Sequence, residues 1–148
     1  MLRILLSLFF FFISISCGFA ITPSFIDLHG HTLNTASLYG KWLVINYWAP
    51  WCTPCLKEIK ELNQFYTKNK GSVALFGVNF DNSSVSKQQQ LEKQYAIGYP
   101  SLKQDPGPML GLSPVQVVPV TFVINPHGQL VHTLYGEQTV ASLEKALH

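Results

Sequence analysis

The sequence predicts an α/β fold in which a mixed central β-sheet lies between layers of helices. An almost unbroken apolar run over residues 42–48 fits a buried strand, and apolar residues then recur every three or four positions, as in a helix. A second apolar run, residues 72–80, completes the order strand, helix, strand that is typical of parallel pairing. Two further runs, residues 120–124 and 130–135, flank an Asn-Pro-His-Gly turn and predict an antiparallel hairpin.

Local signals set the bounds of the other elements. Pro54 stands where the first turn of a helix tolerates a missing N–H. The polar side chains of residues 81–84 can cap a second helix, whose Gln88-Gln89-Gln90 we expect on an exposed face. The elements outside the strands named above are, in order, a strand–turn–strand over residues 22–33, a helix over 54–70, a helix from about 85 to 95, an irregular proline-containing segment over 103–118 and a last amphipathic helix from about residue 139.

The N-terminus has the layout of a secretory signal. Arg3 precedes an apolar run over residues 4–15, and Gly18-Phe19-Ala20 supplies small residues at the −3 and −1 positions, which predicts cleavage after Ala20. An uncleaved membrane anchor and a lipoprotein modified at Cys17 are the alternatives. We therefore expect a signal over residues 1–20 and a single domain over residues 21–148. We also expect export to the bacterial periplasm or to the extracytoplasmic face of the membrane, with a soluble cleaved chain favoured over an anchored one.

Charge and length exclude some classes of function. The 148 residues carry 10 Lys+Arg and 8 Asp+Glu, a formal net charge of +2, with no basic stripe or charge block. Nucleic acid is therefore not an expected partner. The part that follows the signal is long enough for one domain with a real core and too short for two.

The stretch WAPWCTPC, residues 48–55, places Cys52 and Cys55 three positions apart where a strand meets a helix. A structural zinc site needs four ligands, and the histidines do not complete one, so we expect no metal. A structural staple is a weak explanation, because the ring that such a disulfide closes is too small to stabilise the fold much. Redox catalysis is the remaining interpretation, and the disulfide itself would be the only redox group, without a further cofactor.

The position of each cysteine predicts its role. Unpaired N–H groups and the dipole at the helix start favour a thiolate at Cys52, which would be the nucleophile. Cys55 lies one turn inside the helix, where it would be less exposed and would resolve the mixed disulfide. Tyr47, Trp48 and Trp51 are expected mainly to pack, with Trp51 also lining the substrate groove.

These residues, taken with the order of elements, resemble the thioredoxin-like fold, and in particular its TlpA/ResA/DsbE (CcmG) branch of extracytoplasmic thiol–disulfide oxidoreductases. The branch typically has asparagine six residues before the first cysteine and glutamate three residues after the second, which here are Asn46 and Glu58. Further matches are the opening Pro23, Phe25 and Ile26-Asp27-Leu28, the later Gly40-Lys41, and the phrase Phe122-Val123-Ile124-Asn125-Pro126-His127-Gly128.

The resemblance implies a three-layer sandwich and adds site residues to the cysteines. Pro119 matches the cis proline that faces the cysteines in this fold, and its bond to Val118 would expose the backbone of Val118 to a substrate strand. Trp51 and Pro54 would contribute to the same substrate site. Glu58 on its own fits a solvated helix face, but the resemblance favours a carboxyl that exchanges a proton with Cys55.

Three functions remain open from the sequence. The first is a reductase of partner-protein disulfides, as in apocytochrome c maturation, rereduced by a membrane thiol donor. The second is an oxidase that donates its disulfide to folding proteins. The third is a binding module in which the cysteines are incidental. For the two redox functions the partners are protein thiols or disulfides, whereas the binding module would capture clients or an assembly partner. We expect a monomer.

Overall fold

The computed structural model describes residues 24–148, and the predicted signal over residues 1–20 lies outside them. A four-stranded mixed sheet has the order β4-β3-β5-β6. Strand β3 pairs in parallel with β4, whereas β5 pairs antiparallel with both β3 and β6. The strands are β3 (Trp42–Trp48), β4 (Val73–Asn79), β5 (Val120–Ile124) and β6 (Leu130–Tyr135), preceded by a hairpin of β1 (Ser24–Ile26) and β2 (Thr32–Asn34).

Helices cover both faces of this sheet, as predicted. Along β3 and β5, residues that alternate in sequence point to opposite faces. Val44 and Val123 join the core cluster that contains Leu62 and Phe65 of the first helix and Leu143 of the last. The odd-numbered face of β3 packs in the other cluster, which also includes both cysteines. The helices are α1 (Thr53–Asn69), α2 (Val85–Gln94), α3 (Gly107–Leu110) and α4 (Val140–Lys145).

The sheet is extended beyond β4 by a short segment that the sequence did not indicate. The backbone N–H of Leu102 donates to the carbonyl of Gly77 at 2.8 Å, and Ser101 forms a parallel bridge with Gly77. On its other side, the carbonyl of Ser101 accepts from Leu28 at 3.0 Å, which joins the N-terminal hairpin to the sheet.

Two expectations from the sequence are wrong in detail. The segment over residues 103–118 is not wholly irregular, because α3 forms one turn where Asp105 accepts a hydrogen bond from the backbone of Gly107. Gln88 is not exposed: it is 4% accessible and its side-chain amide donates to the carbonyl of Ser83 at 2.6 Å. A glutamine can be buried at a helix start because its amide satisfies a backbone group there.

Candidate functional site: a cysteine pair above a buried carboxyl

Cys52 and Cys55 form a disulfide across the first turn of α1. Their Cα atoms are 5.2 Å apart, and Cys52 is the N-cap residue, whose sulfur accepts from the backbone N–H of Cys55 at 3.3 Å. Cys52 is 5% exposed and Cys55 is completely buried. The order of exposure agrees with the prediction, and Cys52 is the sulfur that a partner can approach.

The start of α1 favours negative charge on the Cys52 sulfur. The first turn contains no acidic residue, and its unpaired N–H groups carry the positive end of the helix dipole. Pro54 contributes no N–H, so the donors near the sulfur are fewer than in an ordinary first turn. The geometry therefore supports a stabilised thiolate at Cys52 but not an extreme one.

Glu58 is completely buried, one helical turn beyond Cys55, and does not lie on a solvated helix face. Its Oε1 accepts from the side-chain amide of Asn46 at 2.7 Å, and its Oε2 accepts from the backbone N–H of Gln138 at 2.9 Å. Burial raises the pKa of this carboxyl to about 7, against the lowering effect of these two hydrogen bonds. The nearby charge of Glu137 raises the pKa further. The group can therefore gain or lose a proton near neutral pH.

The groups that hold Glu58 come from three separate parts of the chain. Asn46 lies on the α1 face of β3, and its amide also donates to the hydroxyl of Thr121 at 3.0 Å. Thr121 is the residue opposite Asn46 in the β3–β5 register, so strand pairing brings the two side chains together. Gln138 immediately precedes the cap of α4, which packs against α1.

Trp51 is exposed instead of packed in the core. It is 63% accessible, its indole N–H donates to Asp81 at 2.9 Å, and its ring meets that of Phe80 edge-on at 6.3 Å between centroids. These contacts hold a large apolar surface in place next to Cys52. Tyr47 and Trp48, by contrast, are both 2% exposed, as expected of packing residues.

The bond between Val118 and Pro119 is cis, as the resemblance implied. Val118 belongs to the same buried cluster as the two cysteines, and it precedes the last β3–β5 pair, which joins Tyr47 to Val120. Its neighbour Val117 is 54% exposed. An apolar edge therefore continues from the cysteine pair to the loop before β5.

The cysteines, Asn46, Glu58 and Pro119 stand out in the sequence, whereas three groups that hold these side chains or Trp51 in place do not. Thr121 could have been found by aligning the apolar faces of two strands. Gln138 and Asp81 carry no sequence signal, because each acts on a residue far away in the chain. Among residues 24–148, no cluster of three or more histidine, cysteine, aspartate or glutamate side chains is arranged to bind a metal ion. Within the same range, none of the helices has the length and hydrophobicity needed to span a membrane.

Comparisons with known proteins agree with this geometry. The AhpC/TSA family model matches residues 18–133. The thiol-disulfide oxidoreductase ResA of Bacillus cereus (strain ZK / E33L) is 31% identical over 125 residues, which cover 82% of this chain and 72% of that protein. ResA of Bacillus subtilis (strain 168) is 30% identical over 120 residues, which cover 79% of this chain and 66% of that protein.

A solved structure supports the same assignment. A DsbF homologue from Corynebacterium diphtheriae superposes with a TM-score of 0.71 at 26% identity, covering 84% of this chain and 81% of its own. The family match, the ResA relatives and the disulfide at the start of α1 all indicate one kind of enzyme. The chain belongs to the AhpC/TSA family of thioredoxin-like proteins and, within it, to the TlpA/ResA/DsbE-type thiol–disulfide oxidoreductases.

Proposed function

We propose that this oxidoreductase works outside the cytoplasm and reduces disulfides in partner proteins. The observation that carries the proposal is Glu58, a buried carboxyl that Asn46 holds one turn beyond Cys55. A carboxyl that titrates near neutral pH in this position can take the proton that Cys55 must lose during each turnover. The predicted signal over residues 1–20 supports the location.

The first step is attack by Cys52. In the reduced enzyme, the Cys52 thiolate attacks one sulfur of the client disulfide, the client S–S bond breaks, and a bond forms between Cys52 and that sulfur. The other client sulfur leaves as a thiolate and takes a proton from water. Cys52 is the attacking residue because it has the N-cap position and the greater exposure of the pair.

The second step is attack by Cys55. Its thiol gives its proton to the Glu58 carboxylate, and the resulting thiolate attacks the Cys52 sulfur. The mixed disulfide breaks, the Cys52–Cys55 disulfide forms, and the second client sulfur leaves as a thiolate that takes a proton from water, while Glu58 holds the proton from Cys55. Two electrons have passed to the client, so a donor dithiol must reduce the enzyme before the next cycle.

We assign the client-binding surface to Trp51, Pro54, Val118 and Pro119. Trp51 offers an exposed ring beside Cys52, and Val118 lies outside the β3–β5 pairing. The backbone of Val118 would pair with an extended client segment. Apocytochrome c is the proposed client and a membrane-embedded thiol protein the proposed donor, in keeping with the branch that the chain belongs to. The enzyme is proposed to act as a monomer.

The direction of electron flow follows from how strongly the thiolate is stabilised. A strong oxidant stabilises its thiolate heavily, but here neither Thr53 nor Pro54 supplies a cation and Pro54 donates no N–H. We expect a potential nearer to that of thioredoxin, about −270 mV, than to that of the strong periplasmic oxidant, about −120 mV. That range suits a reductase.

Equilibration with glutathione tests this direction. The expected result is a Cys52–Cys55 pair that stays largely oxidised in a mildly reducing glutathione buffer. A pair that the same buffer reduces almost completely would make the protein an oxidase that donates its disulfide. In cells, thiol trapping separates the functions further: reduced cysteines support the reductase and oxidised cysteines the oxidase. Unchanged function after Cys52→Ser would indicate a binding module.

A further inference from the structure

A groove lies between the loop that precedes β5 and the end of β6. Its volume is about 130 Å³. Two of the residues that line it, Val120 and Phe122, are buried side chains of β5, whereas Val117 and Tyr135 are 54% and 69% exposed. The buried pair forms the floor of the groove and the exposed pair its rim. We name this space the Val117 groove.

The lining of the Val117 groove has no charge. Its remaining part comes from residues 113–116, which are a serine, a proline, a valine and a glutamine. Among the residues that the structure describes, those in contact with the groove therefore include no acidic, basic or histidine side chain. A charged group that entered would lose its hydration without meeting an opposite charge. The groove suits an apolar side chain instead.

The size of the Val117 groove limits what can enter it. A cavity of about 150 Å³ that is lined by apolar side chains can hold a molecule of benzene. The Val117 groove is close to that size, so it has room for one leucine or phenylalanine side chain. It is too small for the face of a helix.

Both rim residues lie next to the bond between Val118 and Pro119, which belongs to the proposed client-binding surface. Val117 directly precedes Val118 in the chain. Tyr135 is the last residue of β6, and the backbone N–H of its neighbour Gly136 donates to the carbonyl of Pro119 at 2.9 Å. Val118 shares a buried cluster with the two cysteines. The groove therefore adjoins the surface on which a client would lie during the reaction.

We propose that the Val117 groove receives an apolar side chain of the client, from a residue close in sequence to the cysteine that Cys52 attacks. This inference rests on the proposed client-binding surface. Main-chain pairing with Val118 would give affinity without regard to client sequence, since every client residue offers similar backbone groups, whereas a pocket for a side chain gives specificity. The groove would thus make the enzyme select client cysteines that have an apolar neighbour.

Two other exposed apolar residues lie away from this surface and serve as controls. Tyr39 is 80% exposed, but it precedes β3, whereas the cysteines follow the opposite end of that strand. Val131 is 40% exposed and lies on β6, four residues before Tyr135. That separation is about 13 Å along a strand. Exposure of an apolar side chain alone would therefore not predict a place in the groove.

A disulfide exchange equilibrium tests the preference of the groove. Cys55→Ser is prepared as a mixed disulfide between Cys52 and glutathione, and a peptide with one cysteine displaces the glutathione, so one disulfide breaks as another forms. The peptides carry Leu, Phe, Asn or Asp at one of the three positions on either side of the cysteine. At one of these positions we expect Leu and Phe to be favoured over Asp by about tenfold, which corresponds to about 1.4 kcal/mol. Equal constants at every position would overturn the proposal.

Substitutions at the rim test whether the groove is the source of the preference. Val117→Ser and Tyr135→Ser, each combined with Cys55→Ser, should reduce the tenfold preference to about threefold or less. Val117→Asp should instead make the same position favour Lys over Asp, because it adds a negative charge to the rim. Val131→Ser and Tyr39→Ser are the matched controls and should keep the full preference. A preference that survives both serine variants at the rim would show that the apolar side chain binds elsewhere.

Sedimentation distinguishes a client from a second copy of this chain as the occupant. We expect wild type to sediment as a monomer over a wide range of protein concentration. A wild-type dimer that Tyr135→Ser dissociates, together with equal exchange constants for all peptides, would assign the groove to a second copy and overturn the inference.

The inference and the proposed function can fail separately, because the exchange equilibrium does not depend on the direction of electron flow. If the apolar preference is found in a protein whose potential makes it an oxidase, the groove stands and the reductase falls. If the protein reduces client disulfides but its exchange constants do not depend on the peptide sequence, the function stands and the groove falls.

Discussion

At the scale of the residue, Glu58 combines complete burial with a proton that exchanges near neutral pH. Its two hydrogen bonds leave the carboxylate form accessible, while the surrounding core opposes the charge. The same balance makes the group costly for folding, because the unfolded chain ionises it without penalty. The proton that we propose for catalysis therefore also affects the stability of the fold.

Glu58→Gln should change how the free energy of unfolding depends on pH. The folded protein keeps the Glu58 proton up to a pKa of about 7, whereas the unfolded chain loses it near 4.5, so the folded state binds more protons in that interval. The stabilisation is full below the lower value and is lost as pH rises to the upper one. We expect wild type to lose about 3 kcal/mol relative to Glu58→Gln between pH 4 and pH 8.

Urea denaturation of both proteins at several pH values measures this difference. Parallel curves for wild type and Glu58→Gln would show that the carboxyl keeps its ordinary pKa in the folded state. In turnover assays, the same substitution should remove a rise in the rate of disulfide reduction as pH increases through about 7, because we propose the carboxylate as the proton acceptor.

At the scale of the element, the start of α1 distinguishes the two cysteines. Cys52 caps the helix and Cys55 lies beneath it, completely buried. This difference in position is the reason why we propose Cys52 as the nucleophile and Cys55 as the resolving group. Each cysteine can be replaced separately, so the order of the two attacks can be determined by trapping mixed disulfides.

Cys55→Ser should accumulate mixed disulfides between Cys52 and client proteins, because the resolving attack is lost. Cys52→Ser should trap none, since the remaining thiol is buried. Non-reducing gels with mass spectrometry detect the adducts, and alkylation of reduced wild type at neutral pH should label Cys52 first. Equal labelling of the two thiols without an adduct in either variant would contradict the assignment.

The N-terminus of α4 connects a helix cap to the site. Thr139 and Ser142 form a capping box, and the residue before it, Gln138, donates its backbone N–H to Glu58. Thr139→Ala should lower the free energy of unfolding by about 1 kcal/mol, as is usual for a lost cap. It should also raise the Glu58 pKa by loosening that donor.

Thr139→Ser is the matched control for this cap, because it keeps the hydroxyl and should leave both the stability and the Glu58 titration close to wild type. A Thr139→Ala variant that is less stable but has an unchanged Glu58 titration would separate the cap from the site. Chemical denaturation and carboxyl NMR give the two readings independently.

At the scale of the whole molecule, the features that the sequence predicted are those set by patterns within one segment of the chain. The bounds of β3, β5 and β6 agree with the apolar runs, and the cysteine pair stands where an almost unbroken apolar run gives way to the helical period of 3.6. What it missed depends on contacts across the chain. Gln138 reaches Glu58 over 80 positions, and the strand extension at Ser101 has no pattern of its own. Such contacts depend on how distant segments pack together, and the spacing of residues within one segment does not determine that packing.

The last prediction concerns residues 1–20, which lie outside the described part of the chain. Gly18-Phe19-Ala20 after the apolar run places the cleavage site after Ala20, so the mature protein should begin at Ile21. Intact-mass measurement on protein from fractionated cells should give that mass in the soluble extracytoplasmic fraction. Replacing Ala20 by a large residue should block processing and leave the longer chain with the membrane.

Wild-type protein that keeps residues 1–20 in the membrane fraction would instead establish an anchor, and a lipid-modified Cys17 would appear as a mass increase. Either result would change how the enzyme is held, while the disulfide at the start of α1 and the carboxyl beneath it would remain as they are. The chemistry and the location are thus separable, because the site is built entirely from residues that follow the predicted signal.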